Sequence, residues 1–307
     1  MSSFSSNEDS FNAMEKRNWE QGFEAYDAGF GPLTSQTIPT LLNEAGYPPS
    51  RGATSDVRLL DVATGPGFVL SKAVDFARSG SYSPSTIHLT GLDVTENFID
   101  MAKHRIEDQL KETSSSCLEL DFVIGSAETL PFDDCAFTSV TCNFGILHFF
   151  RPREFLRESL RVLKPGGRLS FSCWAPPSLT EGFRIALASI SEAGSPNVEG
   201  LPAGPDFFDF GDADQSRDAM QEIGFEDTRS VLLSDMTWNS VDGGEDLYNV
   251  LLKGTSRTRE MLLKQTAEET KNIKDLMARK YIAITDHGSR PLRMPALITS
   301  GQKPYEA

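Results

Sequence analysis

The chain is poor in positive charge, in cysteine and in long apolar runs, and each shortage removes a class of function. Its 307 residues carry 29 Lys plus Arg against 44 Asp plus Glu, a formal net charge of −15. A surface of that sign repels polyanions, so nucleic acids and anionic membranes are poor partners unless a local basic patch intervenes. The four cysteines, Cys117, Cys135, Cys142 and Cys173, include no Cys-x-x-Cys pair, which argues against a disulfide framework or a zinc site, and no metal is expected. No apolar stretch approaches the length of a membrane span, and residues 1–9 are Ser-rich and acidic rather than a charged-then-apolar leader. The expectation is a soluble, cytoplasmic protein, long enough for one α/β domain with insertions or for two domains.

What the chain does have is a strand, a glycine turn and an acid in a telling order. The apolar run around Leu59 and Leu60 ends in Thr64-Gly65-Pro66-Gly67, and one helix later a second apolar run ends in Gly91-Leu92-Asp93. The glycines permit close backbone approach, and a carboxylate at the tip of the second strand can accept hydrogen bonds from both hydroxyls of a ribose. A dinucleotide fingerprint needs a third glycine three residues after the second, where this chain has Leu70, so a nicotinamide oxidoreductase is disfavoured. Asp61, just before the turn, suits an ammonium group better than a pyrophosphate.

These residues resemble the class I S-adenosylmethionine (SAM) dependent methyltransferases, whose first strand and turn read hydrophobic-Asp-hydrophobic-x-x-Gly-x-Gly, as Leu60-Asp61-Val62-Ala63-Thr64-Gly65-Pro66-Gly67 does. Gly125-Ser126-Ala127-Glu128-Thr129-Leu130-Pro131-Phe132 is similar to the family's adenine-contacting segment, with Ser126 where an Asp is usual. The stretch from Ser139 to Asn143, Phe144 and His148 looks like the fourth strand and its active-site tip. Glu158 to Arg168 matches the subgroup that includes ubiquinone and menaquinone C-methyltransferases, although Gly145-Ile146-Leu147-His148 departs from the Gly-Ile-Arg-Asn usual there. The resemblance runs from Leu59 to Trp174. It implies a Rossmann-like α/β fold with a mostly parallel seven-stranded sheet, its last strand antiparallel, and SAM as cofactor.

Spacing gives the organisation. Residues 1–10 read as disordered; Trp19, Phe23, Tyr26 and Phe30 then share a helical face. Core strands are expected at 87–92, 118–124, 139–144 and 168–174, and helices follow the glycine turn (68–77), Thr95, and the fourth strand. Pro165-Gly166-Gly167 is expected to end that last helix. Residues 175–211 read as an irregular insertion, 212–223 as a helix stopped by Gly224, 228–238 as a sixth strand, 239–290 as an insertion with one long helix, and 294–300 as the closing strand. The division is thus a helical cap (1–55), a SAM-binding core (56–174), a pocket insertion with the sixth strand (175–238), a helical insertion (239–293) and a last strand (294–307).

In such a sheet the ligand lies beyond the carboxyl ends of the strands. The cofactor-binding residues are then Asp61, Ala63, Thr64, Gly65, Pro66, Gly67, Asp93, Val94, Ser126, Ala127, Glu128, Asn143 and Phe144, with Tyr26 from the cap. Trp19, Trp174, Phe207 and Phe208 are expected around the substrate, though Trp19 also reads as a core aromatic of a capping helix and Phe207 and Phe208 as the buried side of a loop. His148 is the candidate general base, and a capping or packing histidine is the plainer alternative. The function expected is methyl transfer from SAM to oxygen, carbon or nitrogen of a small, partly apolar metabolite. The alternative is a SAM-binding protein of the same fold that transfers no methyl group.

Overall fold

The computed structural model describes residues 6–48, 56–78, 86–111 and 118–305. Its main sheet takes strands β1 (Val57–Val62), β2 (Ile87–Asp93), β3 (Leu118–Ile124), β4 (Phe137–Asn143), β5 (Leu163–Trp174), β6 (Glu226–Leu233) and β9 (Ala296–Gln302) in the order β3-β2-β1-β4-β5-β9-β6. Neighbours from β3 to β5 pair in parallel, and β9 runs antiparallel to both β5 and β6. A separate pair, β7 (Thr237–Trp238) and β8 (Leu292–Arg293), is antiparallel.

Strands β1, β2 and β4 are nearly continuously buried, as parallel strands covered on both faces must be, although β4 carries Thr138, Ser139, Thr141 and Asn143 among its apolar residues. The pleat divides the core. Leu59 and Leu89 join Leu41, Leu70 and Ile106 in one cluster, whereas Leu60 and Leu92 join Phe155 and Leu156 in the other. The first cluster takes its helical residues from α3 (Ile38–Glu44), α4 (Phe68–Arg78) and α5 (Glu96–Lys111), the second from α6 (Pro152–Val162) and from the helices that follow β5. The chain winds outward from β1 to β3 and returns to β4 beside β1, which puts the topological switch between β1 and β4.

Most of the remaining helices gather into one assembly. Helix α1 (Asn7–Gly29) leads through the short α2 (Gly31–Thr34), and α7 (Glu181–Ala193) follows β5. Between α8 (Ala213–Ile223) and β8, the insertion holds α9 (Gly244–Gly254), α10 (Arg257–Leu263) and α11 (Ala267–Ile284). Helix α1 packs on α9, α9 on α10 and α11, and α11 on α7.

Several boundaries differ from the sequence reading, each for a local reason. Helix α1 begins inside the stretch read as disordered because Ser6 and Asp9 form a capping box, each side chain accepting the other's backbone N–H; residues 1–5 lie outside the described residues. Pro165-Gly166-Gly167 does not end a helix. Helix α6 stops at Val162, and the Pro-Gly-Gly run lies within β5, where the Gly166 N–H donates to the Lys303 carbonyl and the Lys303 N–H to the Gly167 carbonyl. The "irregular" 175–211 segment contains α7, whose Phe183, Ala186 and Ile190 recur at helical spacing. The sixth strand ends at Leu233, and Thr237–Trp238 turns away to pair with Leu292–Arg293. The 239–290 insertion holds three helices rather than one, and the closing strand is shifted to Ala296–Gln302. Residues 49–55 and Cys117 lie outside the described residues.

Candidate functional site

A cavity of about 620 Å³ opens at the carboxyl ends of β1, β2 and β4, over the switch point. At one end it is floored by the turn after β1. Ala63, with φ +54°, and Gly65, with φ +52°, are both left-handed, so the chain reverses within two residues of the strand. The Thr64 N–H donates to the Leu92 carbonyl at 2.9 Å, and its hydroxyl donates to Asp61 Oδ2 at 2.7 Å. Asp93 spans the gap from β2. Its Oδ2 accepts the Gly65 N–H at 2.9 Å, and its Oδ1 accepts both the N–H and the hydroxyl of Thr95 at 3.0 Å.

Ala63, Thr64, Gly65, Pro66, Asp93 and Val94 all line the cavity. So do Tyr26, Ala127, Asn143 and Phe144. Four of the sequence-predicted cofactor residues are set back from it. Gly67, with φ +82°, faces helix α5, where a Cβ would come within 2.9 Å of the Ala102 Cβ. Asp61 is buried and held by the Thr64 and Thr141 hydroxyls. Burial pushes its carboxyl up to about 7, against the opposing pull of those two hydrogen bonds and with a smaller push from Asp93. The Ser126 hydroxyl accepts the Glu128 N–H, and the Glu128 carboxylate is engaged by the Arg151 N–H and guanidinium. Asn143 lines the cavity, but its amide is spent on structure: Oδ1 accepts from the hydroxyls of Thr37 and Ser172 at 2.6 Å, and Nδ2 donates to the Thr34 carbonyl. Tyr26 donates to Thr34 at 3.4 Å, and burial pushes its phenol up to about 12, so it serves as a neutral hydroxyl.

The other end is a belt of rings. Trp19 stands edge-on to His148 with centroids 4.8 Å apart, His148 to Phe207 at 5.7 Å, and Phe207 to Phe183 at 5.7 Å. Phe183 meets Trp174 at 5.5 Å, and Trp174 meets Phe144 at 4.2 Å, next to the turn. Phe208 packs on Phe207 and Phe183. All four predicted substrate residues, Trp19, Trp174, Phe207 and Phe208, thus face the same space as His148. Glu15, Phe183 and Arg257 also line it; Phe183 stands out in the sequence only as an aromatic residue of the insertion after Trp174, and Glu15 and Arg257 carry no signal there.

The site's own chemistry limits what it can hold. The Thr64 and Gly65 N–H groups are committed to the Leu92 carbonyl and the Asp93 carboxylate, so this turn offers no open nest of amides for a pyrophosphate. Among the described residues, the acids Glu15, Asp93 and Asp206 line the cavity against one arginine, Arg257, a balance that favours a cationic ligand. A Cβ on Gly65 would meet nothing within 4 Å, so the turn presents bare backbone to the space above it. A sulfonium cofactor with an ammonium and a ribose fits these residues.

Known proteins agree with that fit. A family profile described as a methyltransferase domain matches residues 60–171. The ubiquinone/menaquinone biosynthesis C-methyltransferase of Roseobacter denitrificans is 36% identical over 131 residues, 42% of this chain and 48% of that protein. The chain therefore spans about half the length of that relative. Demethylmenaquinone methyltransferase of Thermotoga maritima is 30% identical over 200 residues, 59% of this chain and 79% of that protein. Among solved structures, a Haemonchus contortus phosphoethanolamine N-methyltransferase superposes with a TM-score of 0.55 at 16% identity, covering 98% of this chain and 60% of that one, a likeness of fold. Identity that extends over 79% of the Thermotoga protein goes well beyond a shared turn motif, and the chain belongs to the class I SAM-dependent methyltransferases.

Proposed function

We propose that the protein transfers the methyl group of SAM to a small, partly apolar metabolite seated among the aromatic rings of the cavity. The observation that carries this reading is the continuity of one cavity from the Gly65 turn to the belt around His148. Its volume of about 620 Å³ lies in the range of enclosed small-molecule sites rather than open platforms for macromolecules. When bound, SAM supplies a methyl group on a positively charged sulfur, already activated for in-line displacement. The chain's own tasks are then alignment, exclusion of water and removal of a proton.

Asp93 would hold the ribose, and the backbone of Ala63 to Pro66 would lie along the cofactor. Asp61 acts through Thr64, which it holds by a hydrogen bond of 2.7 Å. Val94, Ala127 and Phe144 would supply apolar contacts, and Ser126, Glu128 and Gly67 would support the loops that carry them. His148 would accept the acceptor's proton. The metabolite and the charge of −15 favour action in the cytoplasm, away from nucleic acid and membrane. Among the described residues no helix is long and apolar enough to cross a membrane.

Incubation with methyl-labelled SAM and a metabolite extract tests the reading. Label should move from SAM to one extract component, and His148→Ala should lower that rate by about a hundredfold while S-adenosylhomocysteine still binds. Binding without transfer would leave a SAM-fold protein of another function.

A further inference from the structure

His148 has a partner that the family motifs do not contain. Its Nδ1 stands 3.1 Å from Oε2 of Glu15, which lies on α1, 133 residues earlier in the chain. The same oxygen accepts the indole N–H of Trp19 at 3.0 Å. Both side chains are largely buried, 9% exposed for Glu15 and 20% for His148, and both line the cavity. A carboxylate oxygen only accepts, so Nδ1 is the donor and carries its proton; in the neutral ring Nε2 is then the basic nitrogen. The other titratable groups at the cavity are poorly suited to that task. Asp93 is bound into the turn, the Asp206 carboxylate accepts the Phe208 N–H, and Tyr26 is held as a neutral phenol.

The walls beside this pair specify what could bring a proton to it. Trp19 and Phe207 are the ring neighbours of His148, with Phe183 and Trp174 beyond them, and such faces suit a planar ring. An acceptor that is anionic on arrival would meet the carboxylates of Glu15 and Asp206. We infer that Glu15 holds His148 as the Nδ1-protonated tautomer so that Nε2 takes the hydroxyl proton of an uncharged aromatic acceptor. The inference rests on the methyl-transfer reading above. In the transfer the hydroxyl oxygen gives a lone pair to the methyl carbon, the sulfur–methyl bond breaks with its electron pair staying on sulfur, and the hydroxyl proton passes to Nε2. The resulting imidazolium is stabilised by the Glu15 carboxylate, which makes Glu15 a positioning residue rather than one that touches the acceptor.

The test combines a spectroscopic and a kinetic arm. Protein labelled with ¹⁵N-histidine and saturated with S-adenosylhomocysteine is recorded at about pH 8.5, well above the ordinary imidazole pKa, with His148 assigned by loss of its signals in His148→Gln. The wild-type ring should show Nδ1 protonated and Nε2 bare. Glu15→Ala should lose that preference and lower transfer to the labelled extract component by about tenfold to a hundredfold, with unchanged S-adenosylhomocysteine affinity. Glu15→Gln keeps an accepting oxygen without the charge, so it should retain the tautomer and recover only part of the rate. A protonated Nε2 in the wild type, or a folded Glu15→Ala protein with wild-type tautomer and rate, overturns the role of Glu15. A labelled product methylated on nitrogen or carbon overturns the hydroxyl acceptor. If no variant, wild type included, transfers label, the methyl-transfer reading has failed, and the ring-nitrogen signals still decide whether Glu15 sets the tautomer.

Discussion

The two ends of the cavity are built by different means. At the turn end, main-chain conformation does most of the work: Ala63 and Gly65 are left-handed, Thr64 and Gly65 N–H groups are tied to β2, and most of the contributing residues lie within one strand-turn-helix-strand unit. At the aromatic end the work is done by side chains from α1, α7, the loop at 204–208 and the α9–α10 junction at 254–258, drawn together from segments far apart in the chain. A main-chain site tolerates almost no change at a few positions. A side-chain site spreads its tolerance over many.

The largest effect should come where the turn meets α5. Gly67→Val puts a branched side chain at φ +82°, with its Cβ about 2.9 Å from the Ala102 Cβ and 3.0 Å from its Cα, and helix backbone cannot yield as a flexible side chain would. A loss of about 3 kcal/mol or more in urea unfolding is expected. Gly65→Val has open space for its Cβ, so stability should fall by only about 1–2 kcal/mol while S-adenosylhomocysteine affinity drops sharply. If the two variants exchanged these behaviours, the assignment of Gly65 to the ligand side and Gly67 to the helix side would be wrong.

Next in size is Asp93→Asn. The amide keeps one acceptor for the turn but loses the charge that strengthens bonds to the Gly65 and Thr95 donors and to a ribose hydroxyl. S-adenosylhomocysteine should bind about tenfold to a hundredfold more weakly in calorimetry. At the other end, Phe207→Ala removes a half-buried ring that touches His148, Phe183 and Phe208. The KM for the acceptor should rise by about tenfold with S-adenosylhomocysteine affinity unchanged. Equal loss of cofactor and acceptor binding in Phe207→Ala would erase the distinction between the two ends.

The same distinction explains what the sequence could reveal. The order of β1, turn, α4 and the acid ending β2 is a local pattern, as are the Asp212 cap and the left-handed Gly224 that bound α8. Such features depend on neighbours a few residues away. Glu15 does not: nothing in α1 marks it except its place one turn before Trp19, and its meaning appears only when β4 delivers His148 beside it. Helix α7 was hidden for a different reason, since the prolines and glycines around it mask the periodic Phe183, Ala186 and Ile190. The start of β5 was misread because Pro-Gly-Gly commonly ends helices, whereas here the backbone pairs with the chain beyond β9.

The smallest effect belongs beneath the turn and is set by pH. Asp61 is buried, and desolvation raises its carboxyl from 3.8 to about 7 despite the hydroxyls of Thr64 and Thr141. A raised folded-state pKa means that the folded protein keeps this proton at pH values where the unfolded chain has released it. The stabilisation is complete below about pH 4 and is lost progressively as pH rises toward 7, above which both states are ionised and the cost of the buried charge is constant. Between about pH 6 and pH 7 the contribution should fall by about 1 kcal/mol. Asp61→Asn removes the titration while leaving an oxygen for one of the two threonines. Urea unfolding of the ligand-free proteins at the two pH values should therefore show a drop for wild type that shrinks in the variant. Phe207→Ala, at the aromatic end, should show the wild-type drop unchanged. An Asp61→Asn protein that loses as much stability as wild type would mean that the carboxyl is already ionised at pH 6, and that the turn end carries no more pH-dependent cost than the aromatic end.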